Sequence, residues 1–302
     1  MNTPRPLWLI AAPAIFLVLW SAGFAIAKLG LTHAQPITLL ALRYSLVLAL
    51  LAPVALVLRP PMPKTWRAVA DVALVGFLIQ VVYFGMAYLA FKAGMSAGGL
   101  AIIVCLQPIL IALLAPRLLG EPVNRKAWAG LGLGLAGALI VILSRAGVRA
   151  EPILSVVLTV VALIGITAGT LYEKRFGVSH HPVTSNLIQY AVGAVFTVPL
   201  ALMTEDNTLI WNGEFIAILA YLVIGNSILA MSLLLAMIRA GEVSRVSSLF
   251  YLVPALSALF AWPLLGEAMP ALAWLGLALA GAGVAMVSAK PRPKDRAQAR
   301  IT

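Results

Sequence analysis

Asn186, Gln189, Tyr190 and Gly193 stand at i, i+3, i+4 and i+7 in an otherwise apolar stretch, which puts them on one face of a helix. Ser244, Ser247, Ser248 and Tyr251 repeat that spacing. Gln80 and Asn226 each interrupt an apolar run near its middle, Gln107 interrupts another, and Tyr83 lies about one turn from Gln80. Such side chains give and take hydrogen bonds but neither attack nor ionise near neutral pH, so they offer recognition of a small polar solute. The other role open to them is hydrogen bonding between helices. Arg43 is a cation inside an apolar run, with Leu40, Tyr44 and Val47 on its face. Its guanidinium fits a substrate carboxylate. The alternative is a pair with a protein carboxylate or with carbonyls at a helix C-terminus.

Other chemistries find no residues. There is no H-E-x-x-H, no Ser-His-Asp set and no paired carboxylate within an apolar run, and His33, His180 and His181 fall in loops. Neither a metal site nor a cofactor is expected, and the chain is not read as an enzyme. The single cysteine, Cys105, excludes an intrachain disulfide. Gly132 to Gly137 match G-x-G-x-x-G, but inside an apolar helix rather than after a strand. The spacing of Gly130 and Gly134, echoed by Gly276 and Ala280, suits close helix packing instead. Asp71 and Glu173 lie near the ends of their runs, and no acid lies near a centre. Proton-coupled pumps generally need a titrating group within the membrane. The pattern therefore favours facilitated transport, or coupling through groups at the edges.

The elements that position these residues are membrane spans. The 302-residue chain is 62% hydrophobic and 10% charged, with mean hydropathy +1.03. That leaves too few polar residues to cover a water-facing surface. Ten apolar runs are long enough to cross a bilayer, at about 7–29, 36–58, 68–91, 96–118, 125–144, 152–174, 182–203, 214–238, 243–265 and 270–288. They are numbered spans 1 to 10. The first could pass for a signal peptide, but its length and lack of a clean cleavage site read as an uncleaved span. The net charge of +11 could suggest nucleic acid, yet 16 of the 21 Lys and Arg lie on the side of the N-terminus and four on the other, with Arg43 inside a span. That is the bias that sets topology, so both termini are expected in the cytoplasm of a bacterial-type inner membrane. Trp8, Trp66, Trp128, Trp211 and Trp274 fall near span ends, as an interfacial belt requires.

The chain is also written twice. An offset of 146 carries Gly23 to Gly169, Lys28 to Lys174, Pro36 to Pro182, Tyr44 to Tyr190, Pro108 to Pro254 and Glu121 to Glu267. Five spans per copy force the second copy to enter from the opposite side, so the repeats are inverted, as in carrier proteins. The expected fold is an all-α membrane protein of ten helices in two inverted repeats, residues 1–148 and 149–289, with a polar tail at 290–302. The symmetric polar residues should converge on a midplane site at the repeat interface. Pro108 and Pro254 invite matched bends; they are read either as gates or as static kinks. Lys28 with Glu267 on one face, and Lys174 with Glu121 on the other, are read either as alternating latches or as separate solvated ends.

Trp20-Ser21-Ala22-Gly23-Phe24, Lys28, Pro36 with Arg43, and Pro108 with Glu121 together resemble the drug/metabolite transporter superfamily, EamA branch. Residues 14–144 look like one EamA unit and 153–288 like a second. The chain departs from strict repetition where Ile166 stands opposite Trp20 and Gln189 opposite Arg43. The resemblance implies a ten-span carrier working by alternating access. Within the family the chain looks most similar to the YddG-type exporters of aromatic amino acids. Trp20, Tyr83, Tyr172, Tyr190 and Tyr251 would supply ring faces, and Gln80, Gln107, Asn226, Ser247 and Ser248 would meet an amine or carboxylate. Expected partners are a small-molecule substrate and the lipid bilayer, with no nucleic acid and a monomer as the unit. A carrier of another metabolite or drug, a membrane enzyme and an accessory subunit are the alternatives.

Overall fold

The structure is a computed structural model that describes residues 7–95, 100, 103–121, 123–145, 152–176, 180–240, 243–253, 256, 259–260 and 270–288. Pro254 and Glu267 lie outside the described residues. The described part is helical and contains no strand. Six helices are each long and apolar enough to cross a bilayer: Ala11–Gly30, Pro36–Leu58, Trp66–Lys92, Ile153–Phe176, Pro182–Thr204 and Gly213–Ala240. Gln107–Leu119 and Ala271–Val287 are shorter apolar helices, and Arg125–Arg145 is a helix of 21 residues. The chain is an all-α membrane protein of two inverted five-helix repeats.

Contacts come in pairs related by the repeat. Span 2 packs on its own counterpart, span 7, and span 5 on its counterpart, span 10. Span 1 packs on span 8, and the equivalent pair, span 6 and span 3, does the same. The span 5–span 10 crossing is close because its residues are small. A Cβ on Gly137 would run into Gly276 and Ala280, and one on Gly130 or Gly283 would strike the opposite backbone. Close backbone approach of this kind replaces the hydrophobic drive that is missing between helices in lipid.

Spans 3 and 8 contain π segments, and span 9 passes from α-helix over Val243–Ser248 into a 3-10 turn over Leu249–Leu252. Span 3 is α-helical over Trp66–Gly76, π-helical over Phe77–Tyr83 and α-helical again over Phe84–Lys92. Span 8 is α-helical over Gly213–Ala220, π-helical over Tyr221–Ala230 and α-helical over Met231–Ala240. The two π segments sit at equivalent places in the repeats, and each holds a midspan amide, Gln80 or Asn226. A π turn widens the helix and loosens its hydrogen-bond ladder, and such turns gather at functional sites. Span 4 is interrupted by a turn at Cys105–Leu106, after which Gln107–Leu119 begins with Pro108 in its first turn, where a missing N–H costs little. Trp66, Trp128, Trp211 and Trp274 are exposed near span ends, whereas Trp20 is buried.

Candidate functional site

Pro36 opens span 2 with a fixed φ suited to a first helical turn. The Glu205 carboxylate, from the end of span 7, accepts from the N–H groups of Ile37 (3.2 Å) and Thr38 (2.7 Å). This anchors the helix start to the other repeat. Two turns further in, Arg43 is 1% exposed. Its Nε donates to Ser227 Oγ at 2.6 Å, its Nη2 to Asn226 Oδ1 at 2.7 Å and its Nη1 to Tyr88 Oη at 3.3 Å. The guanidinium carbon lies 4.7 Å from the centroid of the Phe84 ring. All of these partners are neutral, and no described carboxylate pairs with Arg43. The cation is held by dipoles and by the rings of Phe84 and Tyr44, with no charged partner among the described residues.

The partners are themselves held. Asn226 and Ser227 lie in the π segment of span 8, and Gly23 of span 1 leaves just the room that the Asn226 amide fills. Tyr44 donates to the Gln80 carbonyl and Tyr190 to the Ser227 carbonyl, both at 2.8 Å. Each tyrosine thus serves a carbonyl of the π segment in its own repeat. The two rings meet with centroids 5.6 Å apart.

A cavity of about 20 Å³ lies beside this network, lined by Arg43, Asn226, Trp20, Phe84, Tyr88 and Phe91 among others. That volume suits a single water, so a larger solute must displace rings. Polar atoms with no hydrogen-bond partner are buried around the core: Trp20 Nε1, both amide atoms of Gln80 and of Gln189, Tyr83 Oη, Gln107 Oε1, Ser247 Oγ and Tyr251 Oη. Buried polar atoms are normally paired; these are distributed over spans 1, 3, 4, 7 and 9. Trp20 stacks on Tyr83 with an interplanar angle of 5° and meets Phe250 edge-on. Gln107 bonds to Thr170 of span 6, and the Tyr251 ring fills the space over Gly134 of span 5, so both lie apart from the Arg43 network. Ser248 is buried beside Ser247. Tyr172 instead donates to Asp71 at 2.7 Å.

The two membrane faces differ. On the face where span 6 ends, Lys174 Nζ lies 3.6 Å from Glu121, and Arg239 Nη2 lies 2.6 Å from Glu173. Arg239 also donates to the His180 carbonyl and to Ser185 Oγ, each at 2.7 Å. On the face where span 1 ends, a cleft of about 480 Å³ is lined by Lys28 and Lys92. Lys28 is exposed and makes no ion pair with a described residue.

Sequence reasoning missed Phe84, Tyr88, Phe91, Ser227 and the Arg239–Glu173 pair. The first three continue the helical face of Gln80 outward at i+4, i+8 and i+11, a signal that extending the stripe would have found.

A family model described as the EamA-like transporter family matches residues 7–143 and again 153–289. The chain belongs to the EamA-like transporter family. It is 25% identical over 289 residues to the "Uncharacterized transporter YvbV" of Bacillus subtilis (strain 168), covering 94% of this chain and 92% of that protein. It is 24% identical over 271 residues to the "Uncharacterized inner membrane transporter YedA" of Escherichia coli (strain K12), covering 90% and 87%. It is 26% identical over 288 residues to the "Probable amino-acid metabolite efflux pump" of Salmonella typhimurium (strain LT2), covering 89% and 91%. A solved crystal structure shares the fold with a TM-score of 0.78 at 20% identity, over 94% of this chain and 98% of its own. In this EamA-like transporter the two matched units meet at the Arg43 network, which joins span 2 of one unit to span 8 of the other.

Proposed function

We propose that this transporter exports amino acids, aromatic ones included, across a bacterial inner membrane by alternating access, as a facilitative carrier with both termini in the cytoplasm. The observation that carries the reading is Arg43: a buried guanidinium with neutral partners, beside a cavity walled by Trp20, Phe84, Tyr88 and Phe91. A carboxylate satisfies the guanidinium and an aromatic side chain replaces the rings it displaces. Gln80, Gln189, Tyr83 and Ser247 supply unpaired acceptors and donors for an ammonium and for polar side chains. The Salmonella relative named as an amino-acid metabolite efflux pump supports the substrate class and the direction.

Alternation is read from the faces. Lys174–Glu121 and Arg239–Glu173 join one face, whereas on the opposite face Lys92 pairs with Glu205 and His33 lies near Glu214, and Lys28 stands without an ion partner among the described residues. In the other state the first two pairs part and the Lys28 face closes. In this reading spans 3, 4 and 8 bend at the π segments and at the turn before Pro108, where the helix ladder is weakest.

The test is flux of labelled tryptophan, phenylalanine, threonine and lysine in proteoliposomes, with and without a proton gradient. Saturable tryptophan flux that needs no gradient is the expected result. Flux only with a gradient would remove the facilitative part, and no flux of any amino acid would remove the substrate class.

A further inference from the structure

The cleft between the end of span 1 and the start of span 2 has a volume of about 480 Å³, and its lining includes the ammonium groups of Lys28 and Lys92 and no Asp or Glu among the described residues. Lys92 is engaged, with its Nζ donating to Gln35 Oε1 at 2.8 Å and lying 3.8 Å from Glu205 Oε1. Lys28 is not. Its repeat counterpart, Lys174, is neutralised by Glu121 at 3.6 Å. Of two equivalent lysines, one is closed into an ion pair and the other presents its charge to an open cleft. The wall around Lys28 is apolar where Leu31, Phe91 and Ile210 contribute. Phe91 is common to this cleft and to the small cavity that holds Arg43 and Trp20, so it separates the two.

We infer that the cleft is a second binding site, for a carboxylate attached to an apolar or aromatic group. Lys28 takes the carboxylate and Phe91 lies against the ring. The site is a waypoint between water and Arg43, and in this role it rests on the reading that the substrate is a carboxylate. Its affinity is low, because an ammonium open to water gains little from one ion pair. Movement of the Phe91 ring passes the carboxylate from one cation to the next.

The test uses the purified full chain and a water-soluble acetylating reagent, with acetylation followed by mass spectrometry at each lysine. The probe is indole-3-propionate, which has a carboxylate and no amine to consume the reagent. Its primary amide is the uncharged control. Lys64, exposed in the loop between spans 2 and 3, is the internal reference. At a concentration equal to its Kd, indole-3-propionate should slow acetylation of Lys28 about twofold, protection rising with concentration as mass action requires, and leave Lys64 unchanged. The amide should protect neither. Protection of Lys28 should persist in Arg43→Gln, because the cleft stands apart from the inner cavity. Equal rates with and without the probe, equal protection by the amide, or loss of protection in Arg43→Gln would each overturn the site. If Lys28 is protected while the proteoliposomes carry no amino acid, the transport reading falls and the carboxylate site stands.

Discussion

Arg239 meets Glu173 at 2.6 Å where the first repeat places Ala93 and Ala27. One face of the molecule therefore has a buried ion pair where the equivalent positions of the first repeat are two alanines. Glu173 is fully buried, and Ala27 lines the cavity beside Arg43. Removing one partner of a buried pair leaves a charge without compensation, at a cost of about 3–5 kcal/mol. Glu173→Ala and Arg239→Ala should each lower the thermal midpoint in detergent by several degrees. The double alanine variant, which makes the second repeat read like the first, should lose less than the two losses combined. Strict additivity in the melting curves would mean that the contact carries no coupling.

Arg43→Gln should reduce flux of carboxylated substrates by about 10- to 150-fold, the equivalent of a charged hydrogen bond of about 1.5–3 kcal/mol. Arg43→Lys keeps the charge but loses the fork that reaches Ser227, Asn226 and Tyr88 together, and should recover only part of the flux. Counterflow of tryptophan measures both. Equal flux in wild type and Arg43→Gln would leave the guanidinium a purely structural role.

Gly23→Ala should behave as a site variant although it adds only a methyl group. The new Cβ would occupy the place of the Asn226 amide and push it from Arg43. Flux should fall at least tenfold while the protein still reaches the membrane. Gly85→Ala in span 3 is the control, since nothing lies within 4 Å of its Cβ and alanine favours the helix. Flux compared at matched expression decides the matter, and equal flux in the two variants would refute the packing argument.

Tyr44→Phe and Tyr190→Phe should have equal effects. Each removes the hydroxyl that serves a carbonyl of a π segment, Gln80 in one repeat and Ser227 in the other. An orphaned buried carbonyl costs about 1–3 kcal/mol. Melting of each variant in detergent should show a similar drop, and a drop in one alone would mean that the two π segments are not held alike.

Much of this was legible because bilayers constrain sequences strongly. Backbone groups in lipid must be satisfied within the helix, so apolar runs become spans, and the offset of 146 residues orders them into two units. The amides Gln80, Gln189 and Asn226 stood out because polar residues are rare in such runs. The π segments did not stand out. Phe77–Tyr83 and Tyr221–Ala230 contain no proline, and their composition is that of any apolar helix. Arg239 and Glu173 lie near the ends of different spans. Their meeting depends on spans 6 and 8 converging, which no local pattern encodes. Tyr88 and Phe91 have the composition of any apolar span, and only the contact of Tyr88 with Arg43 and the shared cavity wall give them a direction.

A π segment has longer-reaching and weaker backbone hydrogen bonds than the helix around it, so its carbonyls are open to other donors. Here such a segment occurs in both halves, with a tyrosine one helix away donating to one of its carbonyls each time. The frame is therefore twofold while its charges are not: Arg43 stands opposite Gln189, and Arg239 and Glu173 stand opposite Ala93 and Ala27. At each of these places the same scaffold thus meets its surroundings with charge in one half and with an amide or methyl groups in the other.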